Sequence, residues 1–155
     1  MLKFVSCDVV FREVPDEVTL AINLSQCPNR CQGCHSPWLR EDTGRELSPE
    51  VLDEIVGTYG QAVTCICFMG GDAAPFEVAA LASRLRPRFK TAWYSGKAQL
   101  PEAFPIQSLD YVKLGPYVEK LGPLDKPTTN QRMYRVGPDG ALTDITPRFW
   151  NKRPV

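Results

Sequence analysis

The sequence predicts an α/β fold with a mostly parallel sheet, and three observations support this prediction. Short apolar runs with strand character alternate along the chain with segments of helical periodicity. The run from Val63 to Met69 is apolar almost throughout, which is typical of a strand buried on both faces of a parallel sheet. The chain has 155 residues, which is enough for one compact domain and too few for two.

The predicted elements begin with two strands and a loop, continue with alternating helices and strands, and end in a hairpin. A helix is expected after Ser48, because serine is a good N-cap residue and Pro49 suits the first helical position. Gly60 can end that helix. The predicted elements are strands 4–11 and 18–24, a loop over 25–47, helix 49–59, strand 63–69, helix 75–85, strands 91–95 and 111–114, and a hairpin over 133–143.

We expect a single domain over residues 1–155. Its core is predicted at about 18–136, with an N-terminal hairpin or edge strand at 1–15 and a C-terminal tail at 137–155.

Composition and charge exclude several classes of function. Lys+Arg and Asp+Glu both number 18, so no net positive charge favours nucleic acid or an anionic membrane. No apolar run approaches the roughly 18 residues of a membrane-spanning helix, and the start of the chain lacks a signal-peptide pattern. We therefore expect a cytoplasmic protein that binds neither nucleic acid nor membrane.

The cysteines are the most informative residues in the sequence. Three of the six, Cys27, Cys31 and Cys34, form a C-x3-C-x2-C pattern on one loop. Three thiolates on a short loop can ligate three irons of a [4Fe–4S] cluster and leave the fourth iron open for chemistry. A structural zinc site that uses the single histidine, His35, is the alternative, although zinc ligands usually come as two separated pairs. Unligated buried cysteines are a third possibility.

Residues that could bind a ligand also follow the predicted strands. Cys27, Gly70, Ser95 and Gly115 each lie just past a strand end, and parallel sheets bind ligands beyond the carboxyl ends of their strands. We expect these residues to meet at one edge. Plain structural roles remain open: a glycine pair often only relieves packing at a strand end, and Ser95 could only cap a turn.

The pattern resembles the radical S-adenosylmethionine enzymes. Gly70-Gly71-Asp72 is similar to their glycine-glycine-acid motif, and the C-x3-C-x2-C loop follows the first core strand as theirs does. Glycine before the third cysteine, histidine after it and an aspartate-ended motif most resemble the anaerobic ribonucleoside-triphosphate reductase-activating proteins. The segments that complete this resemblance are Tyr94-Ser95-Gly96, Asp110–Tyr117 and Thr128–Arg132.

The resemblance implies a shortened, open partial β/α barrel that carries a [4Fe–4S] cluster and binds S-adenosylmethionine. The implied activity is the removal of a hydrogen atom from a glycine of the anaerobic, class III ribonucleotide reductase, with a reduced flavodoxin-like protein as electron donor. The implied cluster ligands are Cys27, Cys31 and Cys34, and the residues implied to contact S-adenosylmethionine are Gly33, Cys34, His35, Gly70, Gly71, Asp72 and Ser95.

Three other functions stay open at this stage. One is an activase of a different glycyl-radical enzyme, such as a formate-lyase type, another is a small-molecule radical enzyme, and the third is a non-catalytic iron–sulfur or zinc-binding module. Cys65 and Cys67 are expected to pack in the core rather than to bind metal. Arg30 could tune the cluster potential or only be solvated, and Asn130–Arg132 could contact the partner or form a polar loop.

Overall fold

In the part of the chain that the structure describes, the fold is one eight-stranded sheet with two α-helices. A computed structural model describes residues 1–25, 27, 29 and 41–150. The strands are β1 (Lys3–Val10), β2 (Thr19–Leu24), β3 (Arg45–Glu46), β4 (Cys65–Met69), β5 (Lys90–Tyr94), β6 (Tyr111–Leu114), β7 (Arg132–Val136) and β8 (Leu142–Asp144), and the helices are α1 (Pro49–Tyr59) and α2 (Pro75–Leu85). The α/β class is confirmed, as is the hairpin near the C-terminus, which β7 and β8 form.

The prediction of a mostly parallel sheet is wrong, because the sheet is mixed. The strand order is β3-β1-β2-β4-β5-β6-β7-β8. Only the central pairings β2–β4, β4–β5 and β5–β6 are parallel, and the four outer pairings are antiparallel. Connection length explains part of this pattern: α1 and α2 lie in the crossovers from β2 to β4 and from β4 to β5, whereas the short turn between β7 and β8 allows only antiparallel pairing. The antiparallel pairing of β6 with β7 does not follow from length, because the long segment 115–131 joins them. The two end strands, β3 and β8, do not pair with each other, so the described strands form no closed barrel.

The short strand β3 lies inside the region that we predicted as a loop. Its two residues, Arg45 and Glu46, pair with Phe4 and Lys3 of β1. As a result β1 is the second strand of the sheet rather than its edge, although β3 covers only one end of it.

The helix boundaries agree with the sequence. The Ser48 hydroxyl accepts a hydrogen bond from the Val51 N–H at 3.2 Å, as an N-cap residue does. At the other end, the Gly60 N–H donates to the Val56 carbonyl at 2.7 Å. Helix α2 begins at Pro75 without a side-chain cap.

The central strands of the sheet are buried on both faces, but in different ways. On one face α1 and α2 pack against large apolar side chains such as Ile22, Phe68 and Trp93. The opposite face carries smaller side chains, including Cys65, Cys67 and Ala92, which are covered by irregular segments around Val14 and Leu124. Cys65 and Cys67 are fully buried, as expected for packing residues. Burial raises the pKa of the Cys65 thiol to about 12.

In the described part of the chain, neither helix has the length and apolar character needed to cross a membrane.

Candidate functional site

The candidate site lies at the carboxyl ends of the parallel strands β2, β4 and β5, and Asp72 is at its centre. Cys27 and Asn29 follow β2, the Gly70-Gly71-Asp72 turn follows β4, and Ser95 and Gly96 follow β5. Because these three strands are parallel neighbours, their ends meet at one edge of the sheet. The predicted gathering of strand-end residues is therefore present for this part of the chain.

From the described residues, the Asp72 carboxylate accepts three hydrogen bonds. The Ser95 hydroxyl donates to Oδ1 at 2.5 Å. The Gly96 N–H and the Asn29 side-chain amide both donate to Oδ2, at 2.8 Å and 2.6 Å. An ionised carboxylate offers about four lone-pair positions, so the donors among the described residues leave roughly one for a further donor. An incoming N–H group is the chemistry that such a position accepts.

The glycine pair shapes the turn that presents Asp72. Gly70 and Gly71 have φ angles of +99° and +95°, a region that side chains with a Cβ rarely adopt. A Cβ on Gly71 would also lie 2.7 Å from Val78 Cγ2 and 2.9 Å from Leu24 Cδ1. The turn thus needs glycine for structural reasons, and its consequence is to place a carboxylate directly after a buried strand.

Ser95 caps the turn after β5, as its position suggested, and it also holds Asp72, whereas its expected contact with the cofactor stays a prediction. Its side chain is 1% exposed. The hydroxyl donates to Asp72 and accepts the Lys97 N–H at 3.1 Å, so it caps the turn while it holds the carboxylate. The main-chain N–H of Ser95 donates to the Lys113 carbonyl at 2.9 Å, which fixes the turn to β6.

Cys27 is the one predicted cluster ligand within the described residues. It is half-buried, and its sulfur lies 3.7 Å from the Asn29 carbonyl oxygen. Cys31, Cys34, Gly33, His35 and Arg30 lie outside the described residues. Within the described ranges there is no group of three His, Cys, Asp or Glu side chains that could hold a metal. The three-cysteine ligand set therefore stays a prediction.

The described residues nevertheless fit a cluster-bound amino acid such as the methionine part of S-adenosylmethionine. A thiol follows β2, and a carboxylate with about one free acceptor position follows the adjacent strand β4. Asn29 connects the two, since its carbonyl lies near Cys27 and its amide binds Asp72. Soft thiolate ligands suit iron–sulfur clusters, and a carboxylate suits an amino group.

Three residues of this edge were missed as site residues by the sequence analysis. Asn29 and Gly96 contact Asp72, but Asn29 lies at an unspecified position between the motif cysteines, and Gly96 was predicted only as part of the Tyr94-Ser95-Gly96 segment. Lys113 is a buried lysine whose ammonium donates to the carbonyls of Ser95 and Gly115, at 2.9 Å and 3.0 Å. Its only sequence signal is a charged residue inside an otherwise apolar strand.

Gly115 and the segment 130–132 also lie at this edge. Gly115 has a φ of +111° and follows β6 as predicted. The Gln131 side-chain amide lies 3.5 Å from the Gly115 carbonyl oxygen, and the Asn130 amide donates to the Pro116 carbonyl at 3.1 Å. The structure thus explains these side chains as supports of the loop after β6.

A cavity opens on the sheet face opposite the helices. Its volume is about 890 Å³, and Glu13, Met69, Tyr94 and Gln131 are among its lining residues. Met69 and Tyr94 immediately precede Gly70 and Ser95, so the cavity reaches the site edge. The Tyr94 hydroxyl donates to the Glu13 carbonyl, which holds the loop before β2 against this face. A cavity of this size is in the range of small-molecule sites.

Comparison with protein-family models, curated proteins and solved structures gave no match.

Proposed function

We propose that this chain is a radical S-adenosylmethionine activase that removes a hydrogen atom from a glycine of the anaerobic ribonucleotide reductase. The observation that carries the proposal is the set of hydrogen bonds on Asp72. Its three donors come from two separate motifs of the resemblance, the cysteine loop and the Tyr94-Ser95-Gly96 segment, while Asp72 itself ends a third. A shared carboxylate is what these motifs need if they serve one bound cofactor.

Each described residue then has a role toward the cofactor. Cys27 would ligate one iron through its thiolate, together with Cys31 and Cys34. Asp72 would accept an N–H of the methionine amino group at its remaining lone-pair position. Ser95 and Gly96 hold the carboxylate so that it needs little reorientation when the amino group arrives. When bound, the reduced cluster and S-adenosylmethionine would supply a carbon-centred radical that can take a hydrogen atom.

The proposal includes the finer description of the fold. The parallel strands β2, β4, β5 and β6, with both helices on one face, are what a shortened and open β/α barrel would retain. The cavity on the opposite face would then be the interior of that partial barrel. A glycine on a loop of a large partner needs such an open site, and the partner would supply the wall that excludes water.

Anaerobic reconstitution with iron and sulfide tests the proposal. We expect about four irons per chain, broad visible absorption, and release of methionine from S-adenosylmethionine after reduction by a flavodoxin-like donor. The reduced protein should then form a glycyl radical on a class III reductase, observed by electron paramagnetic resonance. A colourless protein with one bound zinc, or a cluster that releases no methionine, would refute the proposal.

A further inference from the structure

One hydrogen bond joins the cysteine loop to the strand-end carboxylate. Asn29 lies between Cys27 and Cys31 in the sequence, and its side-chain amide donates to Asp72 Oδ2 at 2.6 Å. The other two donors to Asp72, Ser95 and Gly96, both belong to the segment after β5. They hold the carboxylate relative to the sheet. Among the described residues, only Asn29 holds it relative to the cysteine loop.

Gly96 leaves the space that Asn29 occupies. A Cβ on Gly96 would lie 2.5 Å from Asn29 Nδ2 and 3.0 Å from Asn29 Cγ, whereas it would lie 3.4 Å from Asp72 Oδ2. The φ angle of Gly96 is outside the left-handed region, so its backbone alone does not require glycine. The close approach of the Asn29 amide therefore explains the glycine at this position.

We propose that Asn29 is a positioning residue that ties the cysteine loop to Asp72 and so sets the separation between the cluster and the carboxylate. The part of this inference that concerns the cofactor rests on the proposed function. An amino acid that binds an iron through its amino group, and donates from that group to Asp72, must reach both at once. Loss of the Asn29 contact would leave Asp72 held by Ser95 and Gly96 but would remove its hydrogen bond to the segment that carries Cys27.

A double-mutant cycle on the metal-free protein tests the Asn29–Asp72 hydrogen bond without any cofactor. Asn29→Ala should lower the melting temperature by about 3–12 °C, because a charge-assisted hydrogen bond is worth about 1.5–3 kcal/mol and each kcal/mol shifts the melting temperature of a domain of this size by about 2–4 °C. Gly96→Ala should produce a similar loss by displacing the Asn29 amide. In the Asn29→Ala background Gly96→Ala should cost less than about 1 °C, because the displaced group is already absent. Gly57→Ala is the matched control, since a Cβ there meets nothing within 4 Å.

Two results would contradict a stabilising hydrogen bond between Asn29 and Asp72. One is an unchanged melting temperature in Asn29→Ala. The other is a Gly96→Ala loss of the same size in both backgrounds, which would mean that the added methyl group acts on something other than Asn29.

The positioning role is tested on the reconstituted protein. Asn29→Ala should keep normal iron and sulfide content and bind S-adenosylmethionine about 10-fold more weakly, equal to about 1.4 kcal/mol. The same variant with normal affinity, or with an affinity loss that only follows lost iron, would overturn that role. Asp72→Ala separates this inference from the proposed function. If Asp72→Ala also binds the cofactor normally, the assignment of Asp72 to the cofactor fails. The Asn29/Gly96 double-mutant cycle on the metal-free protein then still decides whether the Asn29–Asp72 hydrogen bond exists.

Discussion

Asp72 is the residue whose replacement discriminates most sharply between a cofactor site and a plain strand-end turn. Its carboxylate accepts from Ser95 Oγ at 2.5 Å, Gly96 N at 2.8 Å and Asn29 Nδ2 at 2.6 Å. Asp72→Asn can keep the bonds from Gly96 and Asn29 if its oxygen faces these two N–H donors, but its amide would then donate to the Ser95 hydroxyl instead of accepting from it. Asp72→Ala removes the acceptor for all three donors. Both variants therefore remove the remaining acceptor position, and only Asp72→Ala also leaves Gly96 and Asn29 without their acceptor.

The expected magnitudes follow from that geometry. The further donor would be the cofactor's amino group, and a hydrogen bond with a charged partner is worth about 1.5–3 kcal/mol. Asp72→Ala should therefore weaken S-adenosylmethionine binding by roughly 10–150-fold, and Asp72→Asn should fall in the same range, because its amide nitrogen would replace Oδ1, the oxygen with the remaining lone-pair position. Asp72→Ala should also lower the melting temperature of the metal-free protein, because it leaves the hydroxyl of Ser95, which is 1% exposed, without a hydrogen-bond acceptor.

The assay is titration of S-adenosylmethionine into the anaerobic, reconstituted protein, with iron and sulfide measured on the same samples. Both Asp72 variants should retain the normal cluster content, because Asp72 is not a cluster ligand in the proposed site. Unchanged affinity in Asp72→Ala would refute the reasoning and reduce the glycine-glycine-aspartate segment to a turn. Loss of iron in Asp72→Asn would contradict the ligand assignment.

Three further predictions concern stability, cluster ligation and pH. Gly71→Ala should lower the free energy of unfolding in urea by about 1–3 kcal/mol, because its φ is +95° and its Cβ would lie 2.7 Å from a packed side chain. The control Gly57→Ala should be neutral or stabilising, and equal effects of the two substitutions would contradict the packing argument. Cys65→Ser and Cys67→Ser should retain iron while Cys31→Ser loses it, and the opposite pattern would show that the ligands are misassigned. Burial raises the pKa of Cys65 from 9.0 to about 12, so between these pH values the folded state keeps a proton that the unfolded chain loses. The free energy of unfolding should therefore decline as the pH rises from 9 towards 12. Melting temperatures measured over this range should decline less steeply in Cys65→Ser, and an identical slope would contradict the assignment to Cys65.

The sequence predicts the elements well where local signals and burial agree. Helix α2 covers Pro75–Leu85 and strand β6 covers Tyr111–Leu114, as expected, because each combines an apolar pattern with proline or glycine at a boundary. The strand β3 has no such signal, since both of its residues are charged and only their pairing with β1 makes them a strand. Strand direction was also beyond the sequence pattern, because an apolar run reads the same in either direction.

The residues of the candidate site could be predicted from the sequence in part, but their contacts could not. Asp72 and Ser95 could be predicted as edge residues, because each directly follows a strand of the parallel centre. Their mutual hydrogen bond and the contact of Asn29 with Asp72 join residues far apart in the chain, and no local pattern marks them. Gly96 shows why: its requirement for glycine comes from the space taken by Asn29, which is a property of the assembled fold.

Transfer of deuterium from the partner's glycine tests the central claim most directly. A class III reductase with deuterated glycine is incubated anaerobically with the reduced, reconstituted chain and S-adenosylmethionine, and the 5′-deoxyadenosine formed is analysed by mass spectrometry. The proposed function predicts one deuterium in that product, an equal amount of glycyl radical on the reductase, and neither with Cys27→Ser. Deoxyadenosine formed without deuterium would show that the chain cleaves S-adenosylmethionine but acts on another substrate, and would contradict the account.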